Sequence, residues 1–251
     1  MTYTAFQRLN YSWMALGAIV FLVLLRITAP YGRYSSPKWG PQIKNNLGWI
    51  FMEVPAMFLV VYFMCRDIQR QSLFALTLAA FFVFHYVNRT FIFPFRIRTK
   101  GKKMPVVIVA SGFMFNILNG FLIGYYFWKF GEYSNKEFIG PRFIAGLLVF
   151  VSGIIINWNY DNKLIHLRRP GETNYQIPEG KLFNYISCPN LLGEVIEWTG
   201  FAIMCWNLAA ASFLVWTVAN LIPRAVSHHK WYRQHFPGYP EERKAILPFI
   251  L

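Results

Sequence analysis

The stretch that decides the fold is LGWIFMEVPAMFLVVYFMC, residues 47–65. As an α-helix rising about 1.5 Å per residue it is about 28 Å long, close to the thickness of the hydrocarbon core of a bilayer. Glu53 lies inside it, where an ionised carboxylate costs several kcal/mol unless it is neutralised or paired. The stretch therefore predicts a membrane-spanning helix with a functional acidic residue.

The rest of the chain continues this apolar character. Of its 251 residues 55% are hydrophobic and only 14% are charged, against roughly 25% charged residues in soluble domains. Further apolar runs predict helices at 11–29, 73–92, 106–128 and 142–158, followed by a longer stretch at 191–223. The first run follows Arg8 without a small-x-small cleavage site, so it is interpreted as a retained span. The predicted fold class is an all-α membrane protein.

Lysine and arginine are concentrated in loops 30–46, 93–105 and 159–190 and in the C-terminal tail. The positive-inside rule puts these segments in the cytoplasm, so the net charge of +14 fits topology better than nucleic-acid binding. The chain between Asn190 and Arg224 then crosses an even number of times, which favours a hairpin near residues 206–208 and seven spans. The N-terminus is then outside or lumenal and the C-terminus cytoplasmic, in a bacterial inner membrane or the endoplasmic reticulum.

The arms of this hairpin are short. Each has only about 15 apolar residues, or about 22 Å of helix, which is less than a full hydrocarbon core. Either the arms extend further than their apolar residues, or the hairpin is re-entrant and the chain has six spans.

Two polar residues in neighbouring spans are predicted to lie at similar depth. Glu53 is in a span that runs outward, and Tyr86 is in the next span, which returns. A phenol and a neutral carboxyl group could both donate hydrogen bonds to one carbonyl oxygen, although Tyr86 could also be an interfacial anchor. Asn116 and Asn119 share a helix face and either line the same cavity or bond neighbouring helices.

A second polar set lies in the last third of the chain. Asn157 and Asp161 are four residues apart, and the run LRRPGE at 167–172 places two cations before a turn. This arrangement fits either an anionic ligand or an ordinary positive-inside cluster. Two further stripes recur at helical spacing: Asn190, Glu194 and Glu197, and Arg224, His228 and Tyr232. Such stripes are hard to explain as lipid-facing surface.

Several other sites are not predicted. His228, His229 and His235 lack the spacing of a zinc motif, so no metal is expected. GxGxxG and GxxxxGK[ST] motifs are absent from the sequence, so a nucleotide would bind without a Rossmann or P-loop unit. The three cysteines, which have no CxxC spacing, are interpreted as small buried apolar residues.

Taken together, several motifs resemble one family, the membrane steroid 5α-reductases (3-oxo-5α-steroid 4-dehydrogenases). The resemblance covers nearly the whole chain. The matching pieces are EVP at 53–55, HYVNRTF at 85–91, NGFLIGYY at 119–126, LRRPGE at 167–172, NLLGEVIEW at 190–198 and RKAILPFI at 243–250.

The resemblance implies a single domain over residues 1–251 in which seven spans hold NADPH in a cavity open to the cytosol. Hydride would pass to C5 of a 3-oxo-Δ4 steroid that enters from the lipid. Residues 11–158 would carry the substrate carbonyl site, and residues 159–251 most of the NADPH site. The protein is expected to be a monomer with no nucleic-acid partner.

Residue roles follow from the same match. Glu53 and Tyr86 correspond to the pair that hydrogen-bonds the steroid 3-oxo group, and Trp198 to a wall of the substrate pocket. Asn116 and Asn119 are also expected to bind the substrate, from their shared helix face rather than from the match. The residues expected to bind the cofactor are Asn157, Asp161, Arg168, Tyr175, Asn190, Glu194, Arg224, His228 and Tyr232.

Two departures from the family pattern bear on specificity. Met52 stands where relatives often have glutamine, which leaves the steroid preference open, and Gln176 stands where an arginine follows the tyrosine. Alternative substrates are enoyl thioesters or polyprenyl compounds. An isoprenylcysteine-type methyltransferase is disfavoured because methyl transfer to a thiolate needs no carbonyl polarisation, and a lipid carrier is disfavoured by the dense polar stripes.

Overall fold

In a computed structural model the protein is described over residues 1–98, 101–167 and 174–251. The helices are α1 (Tyr3–Leu24), α2 (Asn45–Arg66), α3 (Leu73–Val87), α4 (Phe93–Arg96), α5 (Val106–Lys129), α6 (Pro141–His166), α7 (Pro189–Cys205) and α8 (Leu208–His235). A π-helical turn, Asn88–Ile92, joins α3 to α4. Strands β1 (Gln42–Lys44) and β2 (Lys103–Pro105) pair antiparallel, with Ile43 opposite Met104.

The helices confirm an integral membrane protein of the all-α class. Within the described residues five helical segments are long and apolar enough to cross a bilayer: α2, the continuous segment Leu73–Arg96, α5, α6 and α8. Helix α7 has 17 residues, or about 26 Å, and the first turns of α1 contain Gln7, Arg8 and Asn10. The count of seven spans therefore stays a prediction.

Several helix boundaries differ from those predicted by hydropathy. Helix α1 covers Tyr3–Leu24 rather than 11–29, and α6 continues past residue 158 to His166. The start of α1 and the end of α6 extend beyond the apolar residues because polar side chains at helix ends are solvated by water and headgroups. Asn157 and Asp161 consequently lie on successive turns of α6.

The chain breaks between two helices where the sequence predicts the hairpin to turn. Helix α7 ends at Cys205, α8 begins at Leu208, and Trp206 between them has a φ of 47°. The second arm continues to His235 over 28 residues, so this arm extends far beyond its apolar part. The apparent shortness of that arm was a consequence of counting apolar residues only.

The chain divides into two compact units. Unit 1 comprises Met1–Asn10, Pro30–Ile144 and Met204–Ala210, and unit 2 comprises Tyr11–Ala29, Ala145–Ile203 and Ala211–Leu251.

In unit 1, α5 packs closely on α2 through two glycines four residues apart. A Cβ added to Gly120 would lie 2.8 Å from the Ala56 Cα, and one added to Gly124 would lie 3.0 Å from the Val60 Cα. Small residues at this spacing let helix backbones approach in membranes. The close approach brings polar side chains of α5 within reach of the α2 backbone.

In unit 2, α6 and α7 are packed in the same way. A Cβ at Gly153 would lie 2.2 Å from the Glu197 backbone nitrogen, and one at Gly193 would lie 2.4 Å from the Asn157 nitrogen. Glycines in both helices therefore set the distance between them. The C-terminal tail adds a parallel bridge between Ile186 and Lys244.

Candidate active site

Glu53 is presented by α2 one turn into the apolar part of the helix and is half-buried. Pro55 lies within the same helix, and a proline there removes one backbone N–H and weakens the local hydrogen-bond ladder. Met52, beside Glu53, is buried against Met104 and Val109. The carboxyl group thus extends from a tightly packed part of the bundle.

Tyr86 lies near the end of α3 and is 4% exposed. Its ring packs on Phe82 at a centroid distance of 4.7 Å, and its hydroxyl group donates to the Asn116 Oδ1 at 3.1 Å. The π-helical turn begins two residues later, at Asn88; such turns occur frequently at functional sites. The phenol is held by packing and by a hydrogen bond.

Asn116 connects the two predicted donors. Its Nδ2 donates to the Glu53 Oε2 at 3.2 Å and to the Met52 carbonyl oxygen at 2.7 Å. The structure thus brings Glu53, Tyr86 and Asn116 into one hydrogen-bonded network, which we call the carbonyl network. Asn119 differs, because its amide donates to the Phe115 carbonyl of its own helix at 2.9 Å.

A second polar group in unit 2 joins α6 to the start of α7. Asn157 donates to the Asn190 carbonyl at 3.0 Å, and the Asn190 side chain donates to the Asp161 Oδ1 at 2.8 Å. Glu194 is half-buried one turn further along α7. These four residues were predicted as one site, and the structure connects the first three.

Helix α8 presents three more predicted residues of this set, and Tyr175 precedes α7. Arg224 is buried and donates to the Ala29 carbonyl at 3.1 Å. Tyr232 is also buried and stacks on Tyr239 with ring centroids 5.3 Å apart. His228, which is half-buried, lies one turn before Tyr232 on the same helix. Tyr175 packs edge-on against Trp231 at 4.9 Å.

Sequence reasoning missed a buried cation beside this set. Arg243 is 3% exposed, donates to the Pro178 carbonyl at 3.1 Å, and lies 4.9 Å from the Tyr239 ring centroid. Within the described residues its Nε has no hydrogen-bond partner. The terminal run RKAILPFI, which begins at Arg243, resembles the family and adds to the basic tail, but neither property indicates that the arginine is buried.

The C-terminal tail is fastened to the segment before α7 by a buried serine. Ser187 Oγ is 2.6 Å from the Tyr239 hydroxyl, 2.8 Å from the His229 Nδ1 and 3.0 Å from the Lys244 carbonyl. Burial raises the pKa of Tyr239, so this phenol stays protonated at neutral pH. The network fixes the tail that carries Arg243.

Trp198, Arg168 and the absence of a metal motif are the remaining predictions about the site. Trp198 is 1% exposed and packs against Phe213 at 4.5 Å, so it is part of a buried aromatic cluster in unit 2. Arg168 lies outside the described residues. Among the residues that the structure does describe, no three histidine, cysteine or acidic side chains are grouped as a metal site would require.

Comparisons with known proteins match this chain along nearly its full length. A family model described as 3-oxo-5-alpha-steroid 4-dehydrogenase matches residues 102–251. Steroid 5-alpha-reductase DET2 of Gossypium hirsutum is 38% identical over 92% of this chain and 91% of its own. The 3-oxo-5-alpha-steroid 4-dehydrogenase 1 of Rattus norvegicus is 39% identical over 93% and 91%, and that of Homo sapiens is 34% identical over 96% and 94%.

Proposed function

The chain belongs to the 3-oxo-5-alpha-steroid 4-dehydrogenase family, and on that premise we propose that it reduces the Δ4 double bond of 3-oxo-Δ4 steroids to give 5α-reduced 3-oxo steroids. It is an oxidoreductase acting on a CH–CH bond, in a family of membrane steroid reductases. The observation that carries the proposal beyond family membership is the carbonyl network, because it contains two side chains suited to donate to one ketone oxygen.

The chemistry of the substrate explains why such donors are needed. In a 3-oxo-Δ4 steroid the C4–C5 double bond is conjugated with the C3 carbonyl, so hydrogen bonds to the oxygen make C5 electrophilic. As hydride adds to C5, electron density moves through C4 and C3 onto the oxygen, which becomes an enolate. Glu53, in its protonated form, and Tyr86 donate to that oxygen, and donors already in place stabilise the charge without reorganisation. Protonation of C4 by water then completes the reduction.

The hydride requires a nicotinamide cofactor, and we propose NADPH. When bound, NADPH supplies the hydride. Two observations in unit 2 support such a polyanionic ligand. Arg224 and Arg243 are both buried there, and within the described residues the Arg243 Nε makes no hydrogen bond. Arginine is the usual side chain for holding phosphates because its donors form charge-assisted bonds.

The proposal assigns the rest of the predicted set as follows. Residues 11–158 contribute the carbonyl site, and residues 159–251 contribute most of the cofactor site. The proposed cofactor residues are Asn157, Asp161, Arg168, Tyr175, Asn190, Glu194, Arg224, His228 and Tyr232, with Arg243 added from its burial and its ring contact. Seven spans, with the N-terminus outside and the C-terminus in the cytoplasm, complete the proposed topology.

The activity is tested with the purified protein in detergent. NADPH is supplied with testosterone or progesterone, with an enoyl thioester, or with a polyprenyl enone, while the absorbance at 340 nm and the product mass are followed. The proposal expects one NADPH oxidised for each 5α-reduced steroid formed. Turnover of the thioester or polyprenyl compound alone would assign a different lipid substrate, and methyl transfer from S-adenosylmethionine without NADPH oxidation would overturn the reductase assignment.

A further inference from the structure

The side-chain amide of Asn116 is held in one orientation. Its Nδ2 lies 2.7 Å from the Met52 carbonyl oxygen, which can only accept a hydrogen bond. A flipped amide would bring its own oxygen against that carbonyl, so the nitrogen must stay there. The second Nδ2 hydrogen is directed to the Glu53 Oε2 and the amide oxygen accepts from Tyr86. Each end of the amide is therefore committed.

Helix packing explains why Asn116 reaches both partners. It is 4% exposed and lies one turn before Gly120 on α5. An added Cβ at Gly120 would lie 2.8 Å from Ala56, so α5 approaches α2 too closely for a side chain at this position. At this separation a short amide spans the gap to the α2 carbonyl of Met52.

We infer that Asn116 is a positioning residue that orients Glu53 and Tyr86, and is not itself a steroid ligand. The inference rests on the proposed function. Asn116 had been expected beside the substrate, but its amide hydrogens are directed to a backbone carbonyl and to Glu53. Because an N–H donor at Oε2 favours the carbonyl form of that oxygen, the proton of a neutral Glu53 is placed on Oε1.

The network also acts on Tyr86. Without steroid, its hydroxyl hydrogen is donated to the Asn116 amide oxygen at 3.1 Å. A steroid ketone must compete with an amide oxygen, which is at least as good an acceptor, so little is gained on binding the ground state. The enolate oxygen accepts a charge-assisted bond of roughly twice the strength of a neutral one. Asn116 thus makes the Tyr86 bond selective for the transition state, which raises kcat rather than affinity.

The test separates this role from direct substrate binding. Asn116→Leu removes the amide and keeps the same number of side-chain heavy atoms. We expect kcat to fall by about 100-fold, as misplaced catalytic groups do, while KM for the steroid is unchanged or lower. A steroid ligand would instead show a raised KM with a smaller loss of kcat. Asn10→Leu is the matched control, since it also removes a fully buried amide that donates to its own helix, at Phe6, and it should keep wild-type kinetics.

A double-mutant cycle makes the coupling visible. If Asn116 acts through Tyr86, then Asn116→Leu should lower kcat much less in a Tyr86→Phe background than in the wild type. The reason is that the effects of substitutions at interacting residues are not additive. Equal losses in both backgrounds would overturn the inference. If Asn116→Leu does not fold, as judged by NADPH binding, Asn116→Ser serves in the same cycle because its shorter hydroxyl cannot reach both partners.

The single variants Glu53→Gln and Tyr86→Phe are measured alongside. If both keep full turnover, the carbonyl pair and with it the proposed mechanism fail. If both lose turnover while Asn116→Leu and Asn116→Ser keep wild-type kcat, only the positioning role fails.

Discussion

The two units hold their polar residues in different ways. In unit 1 three side chains form a short network in which a single amide fixes a carboxyl group and a phenol, with hydrogen bonds of 3.1 and 3.2 Å. In unit 2 the polar residues are distributed over α6, α7, α8 and the C-terminal tail, with buried cations at Arg224 and Arg243. A small, rigid group suits one oxygen atom, and an extended cationic set suits a long anionic cofactor.

The largest effect is expected in unit 1. Glu53→Gln and Tyr86→Phe each remove or weaken a proposed donor to the developing enolate, and loss of one such donor costs about 100- to 1,000-fold in kcat. The dissociation constant of NADPH, measured by fluorescence titration, should be unchanged. If it rose as much as kcat fell, the division between the units would be wrong.

The next largest effect is expected in unit 2. Arg224→Gln removes a buried cation, and a hydrogen bond to a charged group contributes about 1.5–3 kcal/mol, which corresponds to a tenfold to hundredfold weaker binding of NADPH. With saturating NADPH, kcat should stay near the wild-type value. Arg233→Gln, which changes an exposed arginine on the same helix, is the matched control and should bind NADPH normally.

The two units can be compared by replacing one closely packed glycine in each with alanine. Gly120→Ala would force α5 away from α2, and Gly193→Ala would force α7 away from α6; overpacking of this kind costs about 1–3 kcal/mol. Both variants should unfold at a lower temperature. Of the protein that remains folded, Gly120→Ala should lose kcat and Gly193→Ala should lose NADPH affinity. Gly238→Ala, with no atom near its added Cβ, should change neither.

The close helix packing at these glycines was not predicted from the sequence, although most of the fold was. Helical class, most spans and the hairpin at Trp206 follow from hydropathy and loop charge, since both reflect transfer of residues between water and lipid. The distance between two helices depends on which faces meet, and hydropathy does not encode this. The four-residue spacing of Gly120 and Gly124 is the one sequence feature that indicates this close contact.

In the candidate site, too, hydropathy and topology predict some features, whereas others depend on contacts that only the structure shows. The cost of a carboxylate in an apolar span points to Glu53, and topology predicts Tyr86 at similar depth; the roles of both residues stay predictions. The role of Asn116 could not be resolved between the two alternatives, because the choice depends on the 2.7 Å contact with the Met52 carbonyl. Arg243 was missed because a cation in a polar tail gives no sign of burial until the tail is seen to fold back.

The smallest effect is expected at the loop before α6. Tyr133 donates to the Cys205 carbonyl at 2.6 Å and accepts from Asn207 at 2.9 Å, so Tyr133→Phe should lower the free energy of unfolding of unit 1 by about 1 kcal/mol and leave kcat and NADPH affinity unchanged. Loss of either kinetic property would link this loop to the active site.

The same residue predicts a pH dependence. Burial raises the pKa of Tyr133 above its ordinary value, so its contribution to stability is complete below about pH 10 and is lost as the pH rises further, because the phenol ionises first in the unfolded chain. The thermal unfolding temperature of the wild type should therefore fall more steeply above pH 10 than that of Tyr133→Phe. Parallel declines would contradict burial of the phenol.

The central claim is that hydride is added to C5 of a 3-oxo-Δ4 steroid whose carbonyl is polarised by unit 1. The most direct measurement uses testosterone and NADPH in which both hydrogens on C4 of the nicotinamide ring are replaced by deuterium. NMR then locates the deuterium in the steroid product. The account predicts a 5α-reduced steroid carrying one deuterium at C5 and a solvent-derived hydrogen at C4. Deuterium at C4, reduction of the C3 ketone, or oxidation of NADPH without a labelled steroid would contradict it.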